Sequence, residues 1–453
     1  MGRCYSDTGG NVDYSGSTDS NSVTYTVTVH ATYGGGTTIP IIETPDLSAL
    51  SLSGATQDSI NFPDATNTNQ DIFWITAVDN VSTPKTITVN VAPTGLTVAV
   101  SIGNIGGRIL FAGITGEESF LRPGDEIIVN NSPAAIAGSF FTSRVAGTIT
   151  GGFVKLRGKA GVRPVFNTTG TASPIDGNSA DMLWLENLEI DQDGATGNAI
   201  NNLGANSVCK NVRVVDCGGI GIDVNEDNVK IIGCEITGCG GDGIDTSTLT
   251  FIHIIGCYIH DNGGHGIDSA ATVWRSIVLF CVIDTNTSSG INLSGAPSAI
   301  GSSWLLANST IYGNGIDGLN VADADHNITM INNIFLDNGN TGTEYNVDWP
   351  ADFDLCNFAD WNIFNQGGGL GGTNLNNYTV HDNDLTSAPD ISTSTFLPST
   401  TSPAKASGMP GPIPVTGSAV ITGYLDRGAM QRQEAASGGG LMTHPGMGGG
   451  LRG

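Results

Sequence analysis

The sequence predicts an all-β chain organised around a solenoid, and three observations predict it. The first is a short phrase that returns as Gly221-Ile222-Asp223, Gly243-Ile244-Asp245 and Gly266-Ile267-Asp268, then as Gly290-Ile291-Asn292 and Gly318-Leu319-Asn320, with Ala199-Ile200-Asn201 before it and Glu344-Tyr345-Asn346 after. Successive central residues lie 22, 22, 23, 24, 28 and 26 positions apart. The second is that whole columns keep this register. Leu188, Val212, Cys234, Cys257, Cys281, Ser309 and Asn333 form one; two residues on, Ile190, Val214, Ile236, Ile259, Ile283, Ile311 and Phe335 form another. The third is composition: 13% of residues are charged and 64 of 453 are Gly, which suits strands and turns over helices or disorder. Such a period, with two-residue alternation inside it and Gly or Asn at the bends, reads as β-solenoid coils. Leucine-rich repeats share the period but need a Leu-rich consensus and a helical limb, and neither is present. Each coil buries β-branched residues against the next, so the stack is stable where one coil is not.

Taken in order, residues 1–105 lack the repeat. Alternation in 22–31 and 85–100, broken by Gly34-Gly35-Gly36 and Pro93-Thr94-Gly95, predicts short antiparallel strands in an N-terminal β-rich module placed to attach the solenoid to something else. The solenoid itself is expected over 106–350. Thr115-Gly116-Glu117-Glu118 has capping-box spacing and predicts a short helix over its open end. Residues 122–129 read as a turn entering a buried strand, 154–166 as strand, glycine turn and strand, and 277–283 as one buried strand.

A third column, Asp193, Cys217, Cys239, Asn262, Asn286, Asn314 and Asn338, falls at a bend. Asn262, Asn286, Asn314 and Asn338 are expected to form a structural ladder, each amide bonding to the next. Asn also tolerates the left-handed backbone a tight bend demands. From 351 to 431 the period fades into Asn, Gly, Ser, Thr and Pro, with Trp349 and Trp361 as anchors, and predicts irregular closing coils. Residues 432–453 form a Gly-rich tail of low complexity.

Arg122-Pro123-Gly124-Asp125 before an Ile/Val strand, Leu156-Arg157-Gly158 followed by Gly161 and Arg163-Pro164-Val165-Phe166, and then the Asn- and Gly-punctuated coils resemble the pectate-lyase-like superfamily. Tyr424-Leu425-Asp426-Arg427-Gly428-Ala429-Met430-Gln431 is similar to the Asp-x-Gly-Ala-x-Gln ending of many bacterial and phage members. The resemblance implies a right-handed parallel β-helix. It does not choose an activity, because that superfamily holds lyases, hydrolases, epimerases, adhesins and phage tailspikes.

The formal charge of −26, with 17 Lys and Arg, argues against nucleic acid or an anionic membrane as partner, and against a polyanionic glycan unless a metal intervenes. No apolar run approaches the roughly 18 residues that cross a bilayer. The polar first twenty residues do not resemble a secretory signal. Six of eight cysteines fall in the repeats at spacings unlike a zinc site, which suits small core residues assembled in a reducing cytoplasm.

Chemistry is expected at two places. Asp223, Asp245 and Asp268 follow inward Ile residues, so they point outward on adjacent coils. Three readings stay open for them: a solvated ladder, a glycan or Ca²⁺ site, and a pair of carboxylates for retaining glycoside hydrolysis. Ca²⁺ on this column is the one cofactor expectation. Asp242 and His265 each precede the Gly of their coil and form the second place; Gly264-His265-Gly266 resembles a polygalacturonase motif, which would make both residues catalytic, and the alternative is a structural Asp–His contact at the turn. The chain departs from that family at Gly219-Ile220-Gly221, where the family has Asn-Thr-Asp, and at Trp274-Arg275-Ser276, where the family has Arg-Ile-Lys. β-Elimination would need a cationic base. The repeats offer Lys210, Arg213, Lys230 and Arg275, and Arg213 shares a column with Glu235.

These readings give three expectations of function. The leading one is a structural or adhesive virion protein of tailspike, fibre or head-decoration type. It would be trimeric, assembled in the host cytoplasm with other virion proteins, and able to hold a neutral polysaccharide. The second is a carbohydrate-active hydrolase or lyase, and the third a cellular surface or filament-forming adhesin.

Overall fold

The computed structural model describes most of residues 25–105 and 152–429, with short interruptions, and the strands at 12–13, 126–129 and 141–142. The helix expected at 115–118 and the tail at 432–453 lie outside the described residues.

Short strands follow one another around each coil. From Lys230–Ile232 the chain bends into Glu235–Thr237, then Ile244–Thr246, and the next coil opens at His253–Ile255. Each strand pairs in parallel with its equivalent one coil on, which builds three long sheets, here called first, second and third in the order the chain meets them. Ile190, Val214, Ile236, Ile259, Ile283, Ile311 and Phe335 are direct partners from coil to coil. So are Ile222, Ile244, Ile267 and Ile291. These side chains are buried in one continuous core. At roughly 1.5–3 kcal/mol per buried aliphatic side chain, their stacking is the main favourable term.

The glycine of the repeated phrase has a steric cause. A Cβ on Gly243 would stand 2.6 Å from Ile259 Cγ2, 2.7 Å from the Gly266 carbonyl oxygen and 3.0 Å from Asn262 Nδ2. Gly266 and Gly290 meet the same three neighbours on their next coils. The column is glycine because the following coil already fills the space.

The Asn ladder is continuous. Asn262 Nδ2 donates to Asn286 Oδ1 at 2.9 Å, Asn286 to Asn314 at 3.0 Å, Asn314 to Asn338 at 2.8 Å and Asn338 to Asn346 at 2.9 Å. Each Oδ1 also accepts the backbone N–H of the preceding rung, and each Nδ2 also donates to an inward Ile carbonyl. Each of these buried amides therefore finds partners for both ends. The backbone reason offered for Asn needs correction, because the left-handed residue at this bend is the one before the rung: Asp261, Thr285, Gly313 and Asp337. Asp193 departs from the column as well. It is exposed, and Gln192 is the buried residue there.

Two further expectations change. The apolar run 277–283 is two strands, Ser276–Leu279 and Val282–Asp284, separated by left-handed Phe280 and inward Cys281. A period-two reading cannot see a one-residue corner inside an unbroken apolar run. The three sheets also run on past the fading of the repeat, to Phe358–Asp360, Ile363–Asn365 and Leu375–Asn376. Trp349, directly after the strand Val347–Asp348, is buried against Tyr378.

A six-stranded antiparallel sheet precedes the coils, with its own core around Phe73, Ile75 and Ile87. A Val29–Ile41 bridge joins its two end strands, so the sheet curls back on itself. The resemblance-bearing Arg427-Gly428-Ala429 docks on the coils. Gly428 N–H donates to the Asn332 carbonyl, Ala429 N–H to Thr310 Oγ1, and the buried Arg427 guanidinium to the Asn362 and Ser407 carbonyls.

Gly266→Ala is expected to destabilise the protein by about 2–3 kcal/mol, since backbone and core must shift. Gly313→Ala, which meets nothing closer than Thr285 Cγ2 at 3.7 Å, should cost about 1–2 kcal/mol for its left-handed backbone. Urea denaturation of both variants checks the ordering.

Candidate functional site

Strands of the third sheet in the central coils run inward, outward, inward, so each coil sends one outward side chain to that face. Asp223, Asp245, Asp268, Asn292, Asn320, Asp348 and Asn376 are partners in unbroken register. Asp176 and Asn201 pair in the same sheet at the N-terminal end. The face is a single file of carboxylates and carboxamides about 4.8 Å apart.

Amides serve the two outer aspartates. Asn292 Nδ2 donates to Asp268 Oδ1 at 2.7 Å, and Asn320 Nδ2 to Asn292 Oδ1 at 2.8 Å. Asp223 Oδ2 accepts from Asn198 and Asn225, both at 3.4 Å, while Asn201 reaches Asp176 instead. Asp245, between them, has an Oδ1 that is out of solvent and without a hydrogen-bond partner. Burial, then the charges of Asp268, Asp223 and Asp242, push its carboxyl up to about 6. Burial also raises Asp223 and Asp242. The row therefore pairs a carboxyl that keeps its proton into mildly acidic solution with a neighbour held by an amide donor. At adjacent-strand spacing this matches the roughly 5 Å arrangement of a retaining glycosidase.

Asp242 and His265 are brought together, but through the backbone. His265 N–H donates to Asp242 Oδ1 at 2.6 Å, and Ser289 N–H donates to His265 Nδ1 at 3.1 Å. The same bond recurs along that column: Asp317 N–H to Ser289 Oγ at 3.3 Å and Tyr345 N–H to Asp317 Oδ1 at 2.6 Å. Each side chain satisfies the amide one coil on, so the pair has a structural use that the polygalacturonase resemblance did not anticipate. Arg213 bridges Glu235 at 3.1 Å and also Glu189 at 3.4 Å.

Among the described residues, no group of three or more His, Cys, Asp or Glu is arranged to hold a metal ion. The Ca²⁺ expectation for the Asp row rests on charge alone. Reading only the strongest repeats left Asp176, Asp348 and Asn376 out of the row. Ile175-Asp176, Val347-Asp348 and Leu375-Asn376, each an inward apolar residue followed by Asp or Asn, are the signal that would have found them.

The family description "right handed beta helix region" matches residues 173–303. The chain is a right-handed parallel β-helix. Among solved structures it is similar to the pectate lyase Pel9A, with a TM-score of 0.49 and 16% identity over 70% of this chain and 90% of that one. It is also similar to the A-module of the mannuronan C-5 epimerase AlgE4 of Azotobacter vinelandii, at 0.39 and 17% over 54% of this chain and 66% of that one. A third is the catalytic unit of the GH87 α-1,3-glucanase of Streptomyces thermodiastaticus strain HF3-3, at 0.27 and 12% over 76% and 77%. At such scores none of the three bears on this β-helix's chemistry. A comparison with curated proteins finds no match.

The raised carboxyl has a consequence for stability. Asp245 has a folded pKa of about 6, above its ordinary 3.8. Its contribution is therefore fully present below about 3.8 and lost as pH rises through about 6. Asp245→Asn removes that loss, and the variant should gain on the order of 1 kcal/mol over the parent near neutral pH and nothing near pH 4. Thermal melts of both proteins across that range check the sign.

Proposed function

We propose that this β-helix is a polysaccharide hydrolase working on the outward row of the third sheet. The observation that carries the reading is Asp245, raised and unpartnered between two aspartates that have amide donors. Asp245 is the proton donor and Asp268 the nucleophile. The Asp245 O–H gives its proton to the glycosidic oxygen while the Asp268 oxygen not bound by Asn292 attacks the anomeric carbon, and the bond to the leaving sugar breaks. Water, losing a proton to the Asp245 carboxylate, then displaces Asp268 and restores both groups. Electrostatics favour a glycan without carboxylates, because the row from Asp223 to Asn376 carries no cation to offset a uronate. Elimination chemistry is disfavoured for the same reason.

A second reading is favoured by the amide bonds to Asp268 and Asp223, which already occupy part of each carboxylate. On that reading the row holds a neutral glycan without cutting it. A trimeric virion component rests on composition and resemblance, and the site adds nothing to it.

The assay is release of reducing ends from neutral glucans, mannans and xylans, with polygalacturonate and alginate for comparison. Cleavage of a neutral polymer is expected, with Asp245→Asn and Asp268→Asn each slower by about a hundredfold or more. Activity should fall as pH rises past about 6, where Asp245 gives up its proton. Binding without new ends would favour the second reading, and activity untouched in both variants would sink the first.

A further inference from the structure

Downstream of the coils the chain returns across the outer face of the second sheet. It is bonded to the coils at both ends of this return. Leu385 N–H donates to the Asn362 carbonyl and Phe364 N–H to the Leu385 carbonyl, while after the return Arg427 donates to that same Asn362 carbonyl, Gly428 to the Asn332 carbonyl and Ala429 to Thr310 Oγ1. Between these anchors the chain makes a loop closed on itself: Phe396 N–H donates to the Ser392 carbonyl and Ser399 N–H to the Asp390 carbonyl. The tip of that loop seats through its side chains. Phe396, only 2% exposed, packs with Val282 and Ala429 and sets its ring edge-on to Tyr258 and Tyr312, at 6.0 and 6.2 Å between centroids.

The seat carries a charge problem. Asp284 shares the strand of Val282 and is the direct partner of His260 on one coil and Tyr312 on the next. It is 6% exposed, and its Oδ1 is out of solvent without a hydrogen-bond partner. The Tyr258 and Thr285 side chains of the coils favour its charged form, but burial outweighs them. The groups facing it on the second sheet are His260, Asp261, Tyr258 and Tyr312, with Glu235 3.8 Å from His260 Nε2 and Asp261 2.7 Å from Nδ1. Asp337 lies near Tyr312, and Arg213 is bound to Glu189 and Glu235. The returning segment brings apolar Ile391, Phe396 and Ala429. Its Asp390 carboxylate is held by the Ser399 hydroxyl, and its Arg427 by main-chain carbonyls.

We propose that the loop 390–399 is a pH-governed strap, seated on the second sheet in mildly acidic solution and lifting in alkaline solution to uncover Tyr258, Val282 and Tyr312. Burial pushes the Asp284 carboxyl up to about 6. Burial works against the His260 imidazolium, but Glu235 and Asp261 hold its pKa above the ordinary value. Glu235 and Asp261 belong to the coils and hold His260 in either state, so the linkage to the strap runs through the burial of Asp284. A group whose pKa is higher in the seated state favours that state below its ordinary pKa and ceases to as pH rises through the seated one. Rising pH first ionises Asp284, with the His260 cation as its counter-charge, and then discharges His260. That leaves a buried carboxylate beside Asp261 and Glu235, on the strand whose Val282 packs under Phe396. Lifting the strap lets water reach it.

Hydrogen exchange of the full-length protein, read by mass spectrometry and corrected for intrinsic exchange, tests this. Protection of peptides spanning 390–399 should fall about tenfold or more between about pH 5 and about pH 8. Coil peptides holding Ile222 and Ile254 should not change with them. Asp284→Asn should keep the acid-side protection at both values. Phe396→Ala should show the lifted level at both. His260→Gln, which removes the counter-charge, should move the fall to lower pH and serves as the test should Asp284→Asn not fold. Equal protection in the parent at both pH values overturns the strap, as does a fall that persists in Asp284→Asn. A fall shared by the coil peptides also overturns it, since it would report global loosening.

Discussion

The whole helix depends on how closely one coil approaches the next at the glycine of the repeated phrase. Where Gly266 faces the Gly290 carbonyl, the Ile283 methyl and the Asn286 amide, no side chain of any size can be placed. That tightness brings Ile onto Ile and the Asn amide within reach of the carbonyl it satisfies. The Asn ladder and the Ile columns are thus one packing solution. An Asn that moved outward would leave an inward Ile carbonyl and the backbone N–H of the preceding rung unpaired in the core, at about 1–3 kcal/mol for each group.

The same geometry fixes the candidate surface. Where two inward residues flank one outward residue on the third sheet, each strand gives the face a single side chain. Within the strands it is a file one side chain wide, so each outward residue has its nearest strand partners up and down the axis. The second sheet in these coils has the opposite alternation and shows two outward side chains per coil. It is that broader face, with Tyr258 and Val282, that the chain covers on its return.

Much of this was legible because the solenoid writes three-dimensional adjacency into sequence at a constant interval. Ile222, Ile244 and Ile267 could be placed on one another by counting, and Asp223, Asp245 and Asp268 followed from alternation. Corners were less legible. Phe280 adopts a left-handed backbone in the middle of an apolar run because the coil must turn there, and a bulky aromatic gives no sign of it. A structural contact between Asp242 and His265 was legible as neighbours at a turn, but not that each side chain accepts a backbone N–H from the next coil. The return segment lies beyond counting altogether: Phe396 meets Tyr258 through a contact no repeat encodes.

The choice of residue along the third sheet is the strongest argument that the row is more than scaffold. At 201, 292, 320 and 376 the outward residue is Asn, and Asn320 and Asn292 pass their amides along the row toward Asp268. Asn at 223, 245 and 268 would continue that chain of bonds without charge. Instead three adjacent coils carry Asp, which at this spacing costs about 1 kcal/mol per pair in water and about 3 at an effective dielectric near 20. A purely structural ladder gains nothing from that repulsion. A site that must hold one proton between neighbouring carboxyls needs it, since after burial the repulsion from the neighbouring aspartates is what raises the Asp245 carboxyl.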